Sequence, residues 1–203
     1  MPSALLVLAD GSVFEGRAAG ATGRANGEVV FNTSMTGYQE MLTDPSYAGQ
    51  LLVLTYPMIG NYGVDSSVEE SARICPTGLI VREVAPYASH VRSTGDLGSF
   101  LQDRGIVAID GIDTRAITRQ IRRQGVMLGT ITTDEEAKDA LKRVRSLPDY
   151  DKFDWVTQVT ATEPYEWASP LEPRFHVALM IPVAFGFAFI IFALFANWTA
   201  WWR

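Results

Sequence analysis

Residues 27–56 read Gly27-Glu28-Val29-Val30-Phe31-Asn32-Thr33-Ser34-Met35-Thr36-Gly37-Tyr38-Gln39-Glu40, then Leu42-Thr43-Asp44-Pro45-Ser46-Tyr47 and Leu51-Leu52-Val53-Leu54-Thr55-Tyr56. The first run, Glu28 to Asn32, is rich in β-branched residues and reads as a strand. The last run is continuously apolar and is stopped by Pro57. A short unbroken apolar run of this kind suits a strand buried on both faces, the condition of a parallel sheet. Between the two lies the densest polar cluster of the chain. Asp44-Pro45 initiates a turn that projects Ser46. A polar loop held between strands is where binding groups tend to be placed, so 32–47 is a candidate binding loop. The plainer alternative is a turn whose side chains satisfy one another.

Working outward, the pattern alternates between β and α. Leu5–Leu8 and Val13–Glu15 flank Asp10-Gly11, which suits a tight hairpin turn. Gly78-Leu79-Ile80-Val81, Gly105-Ile106-Val107-Ala108-Ile109 and Val126–Thr132 add three strands. Helices are expected over Thr94–Arg104, after Asp113 to Gly125 with Ile117 and Ile121 on one face, and behind Thr133-Asp134-Glu135-Glu136. The last of these four-residue strings has the form of a capping box. Its helix carries Ala137, Ala140, Leu141 and Val144 on an apolar stripe and ends at Pro148. The fold class is therefore α/β. The expected organisation is one domain over 1–150, a connector over 151–174 rich in Pro, acidic residues and aromatics, and a hydrophobic tail over 175–203.

Composition narrows the functions. The 203 residues carry 23 acidic and 17 basic side chains, a net charge of −6. All the acidic residues precede Arg174, so the body is distinctly acidic. That argues against nucleic acid, whose binding is driven by Lys and Arg releasing counterions. A single cysteine, Cys75, excludes an internal disulfide framework and a multi-cysteine zinc site. The short run Ala4–Leu8 has no basic region before it and does not make a signal peptide, so the body is expected in the cytoplasm.

The tail differs. From Val177 to Ala196 there are twenty residues without a charge. In a helix they would span about 30 Å, the thickness of a bilayer core. Trp198, Trp201, Trp202 and Arg203 would then form an interfacial belt. The expectation is a membrane-spanning helix over 177–196. The alternatives are a buried strand or core helix of a further domain, or a frame-shifted end with no selected role.

Candidate chemistry is sparse. Cys75 stands in Arg73-Ile74-Cys75-Pro76, with no nucleophile elbow around it. A nucleophilic cysteine needs a base within reach, and the histidines are His90 and His176. Cys75 reads as a small core residue, His90 as a surface histidine. No carboxylate pair, metal-ligand cluster or phosphate-binding glycine loop stands out. Arg115, Arg119 and Arg122 fall on one helical face and form a candidate docking stripe for an acidic partner or an anion, with a solvated face as the alternative.

The string from Gly27 to Glu40, with Leu42-Thr43-Asp44-Pro45-Ser46-Tyr47, closely resembles the N-terminal domain of the small chain of glutamine-dependent carbamoyl phosphate synthase. Leu54-Thr55-Tyr56-Pro57, Ile59-Gly60-Asn61 and Asp113-Thr114-Arg115 continue the likeness, which runs from about Ala4 to about Trp167. The resemblance implies a compact α/β domain of the swivelling β/β/α type that docks on the large synthetase chain. In the family the small chain hydrolyses glutamine and passes ammonia to the large chain, which makes carbamoyl phosphate for pyrimidine and arginine synthesis. ATP and magnesium belong to the large chain, so no cofactor is expected here. By resemblance Ser46 is a glutamine contact. The family's glutaminase nucleophile, histidine and glutamate lie in a second domain. Here Phe175-His176-Val177 looks like that domain's opening strand, but the apolar tail follows, with no cysteine elbow and no His-x-Glu. The resemblance thus implies a chain that holds a glutamine half-site, lacks catalytic residues, and reads as a truncated small chain.

Overall fold

The computed structural model describes residues 2–163 and, as backbone, 176–180 and 191–195. The chain divides into two compact units, one ending at Trp155 and one beginning at Val156.

The first unit is built on seven strands that close into a barrel. Strands β1 (Ser3–Leu8) and β2 (Val13–Ala18) form the expected antiparallel hairpin. Its turn is set by Asp10, whose Oδ1 accepts from Ser12 N at 2.9 Å, and by Gly11 at φ +100°. Strands β3 (Arg24–Asn32), β4 (Gln50–Leu54), β5 (Gly78–Ile80) and β6 (Val107–Asp110) follow in parallel. Strand β7 (Met127–Thr132) pairs antiparallel with both β3 and β1, and β2 pairs with β6. Around the barrel the order is β1-β2-β6-β5-β4-β3-β7 and back to β1. Closure leaves the barrel itself without a free sheet edge to template aggregation.

Four helices cover the strands: α1 (Tyr38–Thr43), α2 (Leu97–Asp103), α3 (Thr114–Gln124) and α4 (Ala137–Ser146). The apolar run at 51–54 is buried on both faces, as its composition requires, because successive side chains point opposite ways. Leu51 and Val53 join Leu6, Leu8, Ile80, Ile109 and Ile131 in one core, which α3 completes with Ile117 and Ile121. Leu52 and Leu54 join Leu79, Val81 and Ala108 in a second core, against Tyr38, Leu42, Leu97 and Leu101.

Helix starts test the capping readings. Asp113 caps α3, accepting from Ala116 N at 3.0 Å, and Gly125 at φ +89° ends it. The second helix begins three residues later than expected: Asp96 accepts from Ser99 N at 2.8 Å, while Thr94 Oγ1 donates to Val64 O instead. The capping box at Thr133–Glu136 does not form, and Glu136 caps α4 with no side-chain bond. Its residues serve longer-range partners. Thr133 Oγ1 accepts from Gly23 N at 2.8 Å, Asp134 pairs with Arg24 at 2.8 Å, and Glu135 pairs with Arg143 at 2.6 Å.

Helix α5 runs from Trp155 to Val159, and in the second unit His176–Met180 (β8) pairs antiparallel with Ile191–Phe195 (β9). This corrects the expectation of a membrane-spanning helix over 177–196 at the residues described there: 177–180 and 191–195 are strand, joined in register from His176↔Phe195 to Met180↔Ile191. The β-branched and aromatic residues of these segments suit extended backbone as well as an apolar helix. The intervening 181–190 and the Trp-rich end lie outside the described residues. Among the described residues no helix is long and apolar enough to cross a membrane.

Candidate functional site

The polar loop between β3 and β4 is assembled by its own side chains and by one tyrosine from beyond it. Asn32, the last residue of β3, accepts from Ser34 N at 2.8 Å and donates through Nδ2 to Tyr47 Oη at 2.9 Å, so the two ends of the loop meet. Tyr62 Oη accepts from Gly37 N at 2.7 Å and Tyr38 N at 3.2 Å. The rings of Tyr38 and Tyr62 stack with centroids 4.2 Å apart, and the Tyr38 hydroxyl donates to Gly63 O. Burial pushes both phenols above the ordinary tyrosine value, so both stay protonated donors. Gly37 holds φ +85° at the start of α1, a conformation that costs a side-chain-bearing residue free energy. Behind the loop, Gln39 is buried. It accepts from Asp65 N at 2.7 Å and donates to Glu69, which Arg104 also engages at 2.9 Å. Glu40 Oε2 is buried without a hydrogen-bond partner among the described residues.

Ser46 sits in a one-turn 3-10 helix, Pro45–Tyr47. Asp44 Oδ1 accepts from Ser46 N at 2.8 Å, the turn that the Asp-Pro pair foretold. The side chain is exposed, and its hydroxyl makes no hydrogen bond among the described residues. A free hydroxyl on a braced turn is presented for a ligand or for solvent.

A second polar region lies at the C-terminal ends of β5 and β6. Arg17 and Asp110 are cross-strand partners on β2 and β6, and their side chains form a two-pronged ion pair, 3.0 Å at each oxygen. The Asp110 side chain is only 4% exposed. Beside it a hollow of about 340 Å³ is lined by Arg17, Arg82, Glu83, Gly111, Ile112 and Asp113. The adjoining helix α3 carries Arg115, Arg119 and Arg122 exposed, opposite the buried Ile117 and Ile121. No ion pair engages these three among the described residues.

Cys75 is part-buried. Its Sγ lies 3.6 Å from Thr43 O, Arg73 O and Ser71 Oγ, none of them a base. His90 is exposed, with Nδ1 accepting from Arg92 N at 3.2 Å. Among the described residues no group of three or more His, Cys, Asp or Glu is placed to hold a metal ion.

Comparison with known proteins decides the family. The model of the carbamoyl-phosphate synthase small chain, CPSase domain, matches residues 6–131. The carbamoyl phosphate synthase small chain of Escherichia coli (strain K12) is 51% identical over 167 residues, 81% of this chain and 44% of that protein. That of Syntrophotalea carbinolica is 50% identical over 165 residues, again 81% of this chain and 44% of the relative. A Synechococcus relative of the same name is 52% identical over 169 residues.

The chain belongs to the carbamoyl-phosphate synthase small chain family.

It spans about 44% of the length of the E. coli and Syntrophotalea relatives. Within this small-chain domain the structure brings Asn32, Tyr47 and Ser46 into one braced loop, and places the α3 arginines together on an exposed face. It brings neither His90 nor any other base among Cys75's hydrogen-bonding contacts. Two features escaped the sequence reading. Tyr62 organises the loop from 25 residues away in sequence, and only the flanking Gly60 (φ +90°) and Gly63 (φ +72°) hinted at a special backbone there. The Arg17–Asp110 pair joins strands 93 residues apart and leaves no local signal beyond the Asp110-Gly111 dipeptide ending a strand.

Proposed function

We propose that this chain is the large-chain-docking part of a carbamoyl phosphate synthase small chain, with the swivelling β/β/α character implied by the resemblance. It supports glutamine-dependent carbamoyl phosphate synthesis for pyrimidine and arginine biosynthesis, in the cytoplasm. One observation carries this reading: about half of the aligned positions, over 81% of the chain, are identical to synthase small chains, and the family match at residues 6–131 takes in the polar loop. In this reading Ser46 contributes to a glutamine half-site, for which its exposed, unengaged hydroxyl is suited. Arg115, Arg119 and Arg122 form part of the docking face for the large chain, which itself holds ATP and magnesium.

These 203 residues are not expected to hydrolyse glutamine alone. Amide hydrolysis by a cysteine needs a thiolate, a base and oxyanion donors together. Cys75 has two carbonyls and a hydroxyl instead. The test is capture of a synthase large chain by the purified protein, with glutaminase activity measured with and without it. Saturable capture without glutaminase activity in the free chain supports the reading. Hydrolysis by the free chain, or no capture, overturns it.

A further inference from the structure

A second, smaller hollow opens where the first unit ends. Its cavity is about 90 Å³, and Glu28, Gly49, Leu128, Tyr150, Phe153 and Trp155 are among its lining. Small-molecule sites usually enclose roughly 300–1,000 Å³, so this one takes a head group and not a whole metabolite. The aromatic wall is deliberately seated. Trp155 packs over Gly49, where any Cβ would stand 2.2 Å from the indole ring, and Gly49 itself holds φ +74°. Trp155 stacks on Tyr150 at 5.1 Å and meets Phe153 at 5.2 Å, while its indole N–H donates to Tyr150 O at 3.1 Å. Tyr150 Oη donates to Ala48 O at 2.7 Å, tying the wall to the barrel.

Into this apolar hollow β3 places one carboxylate, Glu28. It is half-buried and accepts one long hydrogen bond, 3.3 Å, from Gln50 Nε2. Neither Arg nor Lys pairs with it among the described residues; Lys152, on the Tyr150–Trp155 segment, pairs with Asp149. Asp151 adds negative charge close by. A desolvated carboxylate without a cation is costly, and loss of water raises its proton affinity above that of an ordinary glutamate. Aromatic rings beside an unpaired carboxylate form a receptor for a planar cation, since a guanidinium stacks on aromatic faces and pairs bidentately with a carboxylate.

We propose that this hollow between β3, Gly49 and the Tyr150–Trp155 segment receives the guanidinium of an arginine side chain presented by a protein partner. The site is distinct from Ser46 and the α3 arginines, and does not rest on the function proposed for them.

The test is a titration of the full-length chain with methylguanidinium, read by NMR at the Trp155 indole N–H and assigned with Trp155→Phe. Methylurea, of the same shape without charge, is the control. A saturable shift with methylguanidinium and none with methylurea is expected. Nα-acetylarginine N-methylamide, which presents the side chain as a polypeptide does, is expected to bind at least as well. Glu28→Gln is expected to weaken binding at least roughly tenfold, the loss of a charge-assisted pair. It should leave the urea midpoint at pH 7 unchanged or higher, because it removes an uncompensated charge. Equal shifts with methylurea, undiminished binding to Glu28→Gln, weaker binding of the acetylarginine amide, tighter binding of choline, or no shift at all would each overturn the proposal.

Discussion

Ser46 shows how a single residue is made available without being strained. Asp44 fixes its backbone N–H, Tyr47 is anchored by Asn32, and the hydroxyl is left open. Ser46→Ala is therefore expected to change stability by no more than about 0.5 kcal/mol, as at an ordinary surface site. In a complex with a large chain it should reduce glutamine-dependent, but not ammonia-dependent, carbamoyl phosphate synthesis. A fall in both would remove the glutamine role. Glu135 is the opposite kind of residue, wholly engaged. The Arg143 guanidinium holds its carboxyl below the ordinary glutamate value, with a smaller contribution from Arg24. A carboxylate whose folded pKa is depressed contributes stability above its unfolded value, and loses it as pH falls through the folded one. Urea midpoints should thus drop below about pH 4. Glu135→Gln should start lower and fall less steeply over the same range. Parallel curves would mean that the pair contributes nothing to acid stability.

At the scale of elements, the barrel is weakest where β2 meets β6. That ladder has only two residue pairs, Arg17↔Asp110 and Ala18↔Ile109, against six between β3 and β7. Its closeness depends on Gly16, where a Cβ would lie 2.4 Å from Asp110 O and 2.7 Å from Ile112 Cγ2. Gly16→Ala is expected to cost about 1–3 kcal/mol through overpacking, measured by urea unfolding. Hydrogen exchange should quicken at Ala19 and Ala21, whose amides donate to Ala108 O and Ile106 O beside this seam, sooner than at Val29. Uniform acceleration across the barrel would place the seam elsewhere. Helix α4 makes a complementary point. Its capping box was well formed in sequence, yet Thr133, Asp134 and Glu135 were drawn to Gly23, Arg24 and Arg143. A local bond worth about 1 kcal/mol yields when barrel closure brings better partners within reach.

On the scale of the molecule, both cores and every barrel strand lie before Trp155. A chain of residues 1–155 is expected to unfold cooperatively by circular dichroism, since a unit with its own core can fold alone. A broad, non-cooperative melt would show that the remainder is required. Against a net charge of −6, the exposed arginines of α3 are a local exception. Reversing Arg115, Arg119 and Arg122 to Glu is expected to weaken large-chain binding at least roughly tenfold at low salt, an effect shrinking as the ionic strength rises. Affinity untouched by the reversal would leave α3 a solvated face.

What the order of residues determined was local and periodic: the strands, the doubly buried run at 51–54, the Asp113 cap and the Asp-Pro turn beneath Ser46. Each depends on neighbours within a few positions, so each is written in sequence. The family was also legible, because the loop from Gly27 to Tyr47 is dense in recognisable residues. Tertiary structure alone decided the rest. Barrel closure brought Arg17 to Asp110 and Tyr62 to the loop, and diverted the residues before α4. It also seated Trp155 on Gly49 beside Glu28, which has no cation partner among the described residues. Strand pairing made β8 and β9 of segments whose hydropathy also fits a helix. These outcomes turn on which distant groups meet, and a contact between residues far apart in sequence has no periodicity to announce it.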